Sequence, residues 1–212
     1  MADQPKKRWW EIVAALTPLI LGLGVTGLGT YATAVYRAQE IQLTQLKALN
    51  EWRELLNSDI PQERAFAYEA FVALGYESLV VKLVKSTRDP AGRNALSTVT
   101  TGQSSAEARQ TLTEVPVYVF LHISDEKQRQ EAGALRTAIE GELGYIVRGI
   151  EHVEKVKPPK TPEVRYFNSV DETAANKVAD IMKANGLSGT KTKRVSFLKA
   201  KVGTVEVWYP NV

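Results

Sequence analysis

The sequence predicts an α+β protein that is anchored in a membrane by a single N-terminal transmembrane helix. Three observations support this prediction. An uncharged stretch extends from Ile12 to Tyr36. Helical patterns follow it through the middle of the chain, and residues 114–212 then alternate between strand-like and helix-like patterns. The chain therefore divides into an anchor, a helical middle and a mixed head.

The composition argues against most catalytic chemistry. The chain has 212 residues, and its 27 basic and 24 acidic side chains give a net charge of +3. It has no Cys and only two His, which excludes disulfides, thiolate catalysis and Cys-based metal sites. The sequence motifs of phosphate-binding loops, zinc proteases and serine hydrolases are absent. We therefore expect no enzymatic activity, no cofactor and no metal.

Residues 9–36 are predicted to span a bilayer, with residues 1–8 as a basic flank. A helix of 25 uncharged residues is roughly 37 Å long, enough to cross the ~30 Å hydrocarbon core. Trp9 and Trp10 at one end and tyrosines toward the other match the aromatic belts of a spanning helix. A cleaved signal peptide, a buried core helix and an interfacial helix are the alternatives. The stretch is longer than a signal requires and lacks a polar face.

Small residues recur along this segment at steps of four and seven. They are Ala15, Gly22, Thr26, Gly29, Thr30 and Ala34. Helices in lipid associate where small residues let their backbones approach, so we expect a homo-oligomer formed through this helix. Three basic residues lie close to each end of the segment, so the orientation in the membrane stays open.

Residues 37–96 are predicted to form a helical stalk followed by a helical pair. The stalk, up to residue 56, contains neither Gly nor Pro. The first helix of the pair is expected to pack through a face at i, i+4, i+7 and i+8, which holds Phe66, Ala70, Ala73 and Leu74. Residues 97–113 are rich in Ser, Thr, Gly and Gln, which predicts a linker.

The pair also carries a family resemblance. It opens with Asp59, Pro61 and Arg64, continues with an Ala-rich helix and Leu74-Gly75, and ends in a second apolar helix. This pattern resembles a HEAT-type helical pair. The resemblance implies a surface for a protein partner at residues 57–96. A helical spacer between membrane and head is the alternative.

Residues 114–212 are predicted to form a strand–helix–strand–strand–helix–strand head. The strands are placed at 115–121, 145–153, 163–167 and 204–209, and the helices at 125–142 and 171–184. This order predicts a ferredoxin-like (βαββαβ) domain, in which a four-stranded sheet carries two helices on one face. Residues 191–202 are a basic stretch to which the pattern assigns no element.

The head resembles the C-terminal domain of LytR-type cell-envelope proteins. The residues that carry the resemblance are Val117–Leu121, Ala134-Leu135, Leu143-Gly144-Tyr145, Val164-Arg165-Tyr166-Phe167, Ala174-Ala175 with Val178-Ala179, and Glu206-Val207-Trp208. One departure is that His122-Ile123-Ser124 stands where the family has Asn-Gly after its first strand. The resemblance implies a non-catalytic binding domain attached to a bacterial envelope anchor.

One cluster of side chains is a candidate for ligand contact. Five cations and no acid lie within 11 residues: Lys191, Lys193, Arg194, Lys199 and Lys201. Such a cluster can receive the phosphates of an anionic small ligand or lipid. A solvated basic loop is the alternative. His122, Ser124 and Asp125 are too close in sequence to converge in a catalytic triad, because neighbouring strand residues point to opposite faces.

These observations predict a single-pass, non-catalytic membrane protein that acts in binding, sensing or scaffolding and associates with itself. The alternative is a ligand-gated membrane effector whose head binds an anionic signal such as a cyclic oligonucleotide. A third possibility, a hydrolase, would depend on His122.

Overall fold

The computed structural model describes Thr44, Lys47 and residues 49–154 and 157–211. The predicted membrane segment, with its flanking and small residues Trp9, Trp10, Gly22, Thr26, Gly29 and Thr30, lies outside these residues. Within the described part, no helix is both long and apolar enough to cross a membrane. Trp52–Val212 form a compact unit of their own, and all the elements below belong to it.

The first half of this unit is helical. Its helices are α1 (Arg53–Leu56), α2 (Pro61–Ala73), α3 (Glu77–Thr87), α4 (Arg93–Thr98) and α5 (Ser105–Glu114). Pro61 occupies the first turn of α2, where its missing N–H is not needed. Gly75 follows α2 with φ +82°, a conformation that glycine adopts without strain. The Asp89 carboxylate caps the 3₁₀ turn before α4 by accepting the Ala91 N–H at 3.1 Å.

The packing face predicted for α2 is wrong. Phe66 and Leu74 are 58% and 59% exposed, while Tyr68 and Phe71 are buried. The buried stripe passes through Ala67 and Phe71, at i and i+4, so it is rotated by about one residue, or 100°, from the predicted face. The Ala-rich sequence of α2 offers both stripes, and contacts with α3 and α4 select between them.

Residues 97–113 are not the structureless linker that their composition predicts. Helix α5 covers most of this segment and buries Ala108, Thr111 and Leu112. These three residues lie at i, i+3 and i+4 and so form one narrow buried stripe. This stripe is enough to pack the helix against its neighbours, although its other side chains are mostly polar. Lys85 of α3 donates to Glu107 of α5 at 2.9 Å. The segment therefore belongs to the folded helical part.

The second half of the unit contains one mixed sheet. In order along the described chain come β1 (Val117–Ile123), α6 (Arg129–Glu140), β2 (Tyr145–His152), β3 (Glu163–Tyr166), α7 (Glu172–Ala184), β4 (Lys191–Arg194) and β5 (Thr204–Trp208). Their order across the sheet is β2-β1-β5-β3-β4. Strand β3 is antiparallel to β5, and the other neighbouring pairs are parallel. The structure thus confirms the α+β class.

The ferredoxin-like (βαββαβ) topology is not what the sheet shows. That topology inserts a strand between β1 and β2, whereas here the two strands pair directly. Strands β3 and β4 likewise pair directly across α7. Both are simple βαβ units, and β5 joins them in the middle of the sheet. The prediction missed β4 because its Lys-Thr-Lys-Arg sequence is exposed throughout and has no apolar alternation.

The two faces of the sheet differ. Helices α6 and α7 cover one face and bury a core with the alternate strand residues. Within β1, Val117, Val119 and Leu121 point into this core, so Tyr118 and Phe120 point to the opposite face. In the described chain neither α6 nor α7 covers that second face, which we call the open face.

Candidate functional site

An open groove of about 620 Å³ lies on the open face, where β1 and β5 begin. Its lining residues are Arg64, Pro90, Tyr118, Phe120, Arg148, Lys201, Val202 and Thr204. Two aromatic rings from β1 form part of its wall, and three cationic side chains come from separate parts of the chain. The lining holds no carboxylate and no imidazole among the described residues. The groove therefore suits an anion with an apolar or planar part.

A β-bulge places Arg148 in this groove. Val119 pairs with Val147 and Phe120 pairs with Gly149, so Arg148 is an extra residue in β2 that has no partner in β1. Bulges bend a strand and redirect a side chain, and they are common beside functional sites. Here the Arg148 guanidinium carbon lies 4.1 Å from the centroid of the Tyr118 ring. This cation–π contact holds the guanidinium above the groove wall.

No described carboxylate compensates the charges of Arg148 and Lys201, so both are available to a ligand. Across residues 49–154 and 157–211, neither side chain forms an ion pair with a carboxylate. Lys201 enters from the loop before β5 and is exposed. A flexible lysine and a fixed arginine on one groove form a common arrangement for binding phosphate, since the arginine orients the anion and the lysine supplies a second charge.

Arg64 plays a different part in the groove. Its Nε and Nη2 donate to the two oxygens of Asp89 at 2.7 and 3.2 Å, and its Nη1 donates to the Ser58 carbonyl at 2.7 Å. The hydrogen bond with Asp89 raises the pKa of Arg64, so it stays charged. The Tyr68 hydroxyl also donates to Asp89, at 3.2 Å. Asp89 thus holds the Arg64 side chain in place and largely neutralises its charge. Arg64 therefore contributes to the shape of the groove more than to its positive charge.

A second polar cluster lies further along the open face. The His122 side chain is 11% exposed, with Nδ1 3.7 Å from Glu151 Oε2 and Nε2 4.0 Å from Glu206 Oε1. Neither ring nitrogen has a hydrogen-bond partner within the described structure. Its ring centroid is 4.4 Å from that of Trp208. Burial lowers the pKa of His122 although the two glutamates oppose the shift, so the imidazole is neutral at pH 7.

Trp208 joins this cluster to the next strand. Its Nε1 donates to Glu206 at 2.8 Å, and the Arg165 guanidinium carbon lies 4.3 Å from its ring centroid. Arg165 is also paired with Glu163 at 2.9 Å. With His122 neutral, three carboxylates surround one cation, Arg165, and that cation is already paired, so these residues do not suit an anionic ligand. We interpret this cluster as a structural part of the open face and not as the ligand site.

Another cavity, of about 450 Å³, lies between the helical part and the sheet. Three cations of the described chain line it. Lys177 pairs with Glu142 at 3.2 Å, and Arg93 donates to three backbone carbonyls. The third cation, Arg109, is exposed and forms no ion pair among the described residues. Although this cavity is more enclosed than the groove, the Glu142 carboxylate lies in its wall, and the one aromatic ring of its described lining, Tyr145, already lies against Arg93. The groove is the better candidate for a ligand site.

The structure separates the five predicted ligand residues. Lys201 lines the groove. Lys191, Lys193 and Arg194 lie in β4, at the edge of the sheet, where Lys191 pairs with Glu163 and Lys193 with Arg165 in the β-ladder. Lys199 lies in the exposed loop after β4. The five cations therefore do not form one pocket.

The residues beside His122 perform structural roles. Ser124 Oγ lies 2.8 Å from the Pro210 carbonyl, and the Asp125 carboxylate accepts the Lys127 N–H at 2.9 Å. Asp125 and Gln128 form a capping box ahead of α6. The polar atoms of Ser124 and Asp125 are thus engaged with groups other than His122.

Sequence reasoning missed Tyr118, Phe120, Arg148 and Arg64. Only the first pair left a signal: two aromatic residues at alternate positions of a strand whose other alternate positions are aliphatic. Such a strand has two apolar faces, and one of them can be a binding surface. The bulge at Arg148 and the approach of Arg64 have no signature in the sequence.

Comparison of the chain with protein-family models, with curated proteins and with solved structures finds no match. The resemblances of residues 115–209 to the LytR-type C-terminal domain and of residues 55–96 to a HEAT-type pair therefore remain predictions from the quoted residues.

Proposed function

We propose that this protein is a membrane-anchored, non-catalytic binding module whose groove takes an anionic ligand with a planar ring, the chemistry of a nucleotide. The observation that carries the proposal is the bulge-positioned Arg148, stacked on Tyr118 and free of any described carboxylate. The membrane anchor rests on the uncharged stretch at residues 12–36.

The groove has residues that can bind the phosphate of such a ligand and others that can stack on its ring. Phosphate oxygens accept two parallel hydrogen bonds from a guanidinium, and Arg148 presents its guanidinium at the groove wall. Lys201 adds a second positive charge. A flat base gains stacking energy on aromatic rings, and Tyr118 and Phe120 supply them. The described lining has no carboxylate and no imidazole, the groups that most often act as general bases, which supports binding over catalysis.

Titration of the full-length chain with fluorescent nucleotides tests the proposal. We expect saturable binding of phosphate-bearing nucleotides and none of the nucleosides. Arg148→Ala removes a charge-assisted contact and should weaken binding roughly 10- to 100-fold. Tyr118→Leu should weaken it roughly tenfold by removing the stacking surface.

Arg136→Ala is the matched control, because Arg136 is an exposed arginine on α6 that pairs only with Glu140 among described residues. It should leave the affinity unchanged. Two results would refute the proposal: equal binding of nucleosides and nucleotides, or equal loss of affinity in the Arg148 and Arg136 variants.

The same groove supports a second candidate, a ligand-gated membrane effector. In that case binding would drive a change in the bilayer through the predicted N-terminal helix, and a cyclic oligonucleotide is the kind of anion expected. Release of dye from vesicles that carry the full-length chain, measured upon nucleotide addition, distinguishes the two. Binding without release supports the sensing module, and release that Arg148→Ala abolishes supports the effector.

A further inference from the structure

The loop between β4 and β5 (residues 195–203, the β4–β5 loop) exposes an apolar tip. Phe197 is 84% exposed and Leu198 is 53% exposed. Phe197 is more exposed than any other large hydrophobic residue in the described structure. An isolated exposed leucine is ordinary on a protein surface, but an adjacent Phe and Leu on a projecting turn are not.

The loop is held at both ends, so its tip has a defined position. The Val195 N–H donates to the Tyr166 carbonyl at 2.8 Å, and the Val195 side chain is buried. At the other end, the Gly203 N–H donates to Asp171 Oδ1 at 2.8 Å, and Asn168 Nδ2 donates to the Ala200 carbonyl at 3.2 Å. The exposure of Phe197 therefore follows from an anchored turn and not from a loose segment.

Cations surround this tip on both sides. Lys193 and Arg194 precede it, Lys199 and Lys201 follow it, and residues 191–203 contain no acid. Lys193, Arg194 and Lys199 are exposed, and none of the three forms an ion pair within the described part of the chain. A second copy of the loop would bring these like charges together, which disfavours self-association through this surface.

We propose that the β4–β5 loop docks on an anionic bilayer, with Phe197 and Leu198 in the interfacial layer and Arg194 and Lys199 against lipid phosphates. Aromatic and leucine side chains partition into the interface, and basic residues beside them are attracted to anionic headgroups. Residues 201–202 at the end of the loop line the groove, whereas Phe197, Leu198 and Lys199 at its tip are not among the groove's lining residues. Docking on the bilayer does not depend on nucleotide binding.

The chain contains no Cys, so a single introduced Cys carries a fluorescent label at one site. Ser196→Cys, beside the tip, labelled with an environment-sensitive dye, reports immersion while Phe197 and Leu198 stay intact. Ser188→Cys is the matched control, because Ser188 is an exposed loop residue at the opposite end of β4. Both labelled full-length chains are reconstituted with vesicles of phosphatidylcholine, with and without phosphatidylglycerol, and with lipid-attached quenchers.

We expect a blue shift and quenching at Ser196→Cys that are large only with phosphatidylglycerol, and water-like emission at Ser188→Cys throughout. Adding Phe197→Ser and Leu198→Ser should abolish the signal, and Arg194→Gln with Lys199→Gln should abolish its dependence on phosphatidylglycerol. Nucleotide affinity should survive the Phe197 and Leu198 changes, which separates this proposal from that for the groove. Water-like emission in every vesicle, equal shifts with both lipids, or a shift that grows with protein concentration without lipid would each overturn it.

Discussion

Replacing Arg93 by Met tests how the helical segment is held against the sheet. Arg93 is only 9% exposed. Its guanidinium donates to the carbonyls of Leu112, Val115 and Leu143 at 3.2, 2.9 and 3.1 Å, and its Cζ lies 4.9 Å from the Tyr145 ring centroid. These contacts join the end of α5 to the turn before β2. Met keeps the aliphatic stem and removes every donor.

The expected cost follows from these three hydrogen bonds. A hydrogen bond from a charged donor contributes roughly 1.5–3 kcal/mol, and a buried acceptor left unpaired costs about 1–3 kcal/mol. Burial lowers the pKa of Arg93, which means that the protein already bears a desolvation cost that Met relieves. Since the gain offsets part of the loss, we expect Arg93→Met to reduce the free energy of unfolding by roughly 3–5 kcal/mol.

Hydrogen exchange of the full-length chain measures this change. The amides of β1 and β5, in the middle of the sheet, exchange through global opening, so their rates report the global free energy. Arg136→Ala is the control, because it removes an exposed i,i+4 pair with Glu140 and should cost about 0.5 kcal/mol or less. If Arg93→Met cost no more than this control, the idea that Arg93 fastens the helices to the sheet would fail.

Four further predictions concern stability and protonation. A Cβ at Gly92 would collide with the Val84 side chain, so Gly92→Ala should cost roughly 1–3 kcal/mol in thermal unfolding. Gly133→Ala, whose Cβ meets no atom within 4 Å on α6, should instead stabilise the protein by about 0.5–1 kcal/mol. Burial raises the pKa of Asp171 from 3.8 to about 6. The folded state therefore binds this proton more tightly, and stability falls by on the order of 3 kcal/mol as pH rises through that window. Asp171→Asn, whose side-chain oxygen can still accept the Gly203 N–H, should flatten the pH dependence of unfolding between about pH 4 and 6; an unchanged profile would contradict the assignment. Burial also lowers the pKa of His122 below 6.5, so its protonation favours unfolding and stability falls as pH drops through 6.5. An imidazole titration followed by NMR should show this low pKa, and a value above 6.5 would argue against it.

The sequence predicts those elements whose apolar residues are dense or recur with a clear period. Strand β1 is a run of branched and aromatic residues, and α6 and α7 present stripes at helical spacing. The sequence pattern does not reveal helix α5, because only a few of its side chains are buried. It does not reveal strand β4 either, because that strand is held by backbone hydrogen bonds. A strand such as β4 is stabilised by hydrogen bonds to β3, and its side chains carry no record of them.

The order of the strands is a different kind of information. The element sequence strand–helix–strand–strand–helix–strand fits both a split βαβ arrangement and two adjacent βαβ units. What decides between them is where β5 inserts, and that depends on contacts between residues far apart in the chain. The pairing of Glu163 with Trp208 is one such contact, and neither residue signals it locally.

The groove depends on the same long-range order. Insertion of β5 beside β1 brings Thr204 opposite Tyr118, and the loop before β5 then carries Lys201 to the rings of β1. The bulge in β2 directs Arg148 to the same place from the other side. Had β5 joined the edge of the sheet, Lys201 and Arg148 would not meet across Tyr118. A pattern-based search for cations could therefore find Lys201 but not its partner.

The basic stretch that the sequence singles out thus serves several surfaces. Lys191 and Lys193 lie on an edge strand, where charged side chains keep the free backbone edge from pairing with another sheet. Lys199 lies beside the exposed Phe197, and Lys201 reaches the groove. Because a strand extends by about 3.3 Å per residue and the loop then turns back, side chains adjacent in sequence come to face different partners. Charge density along a sequence therefore identifies a basic region, and only the fold shows which of its cations can act together.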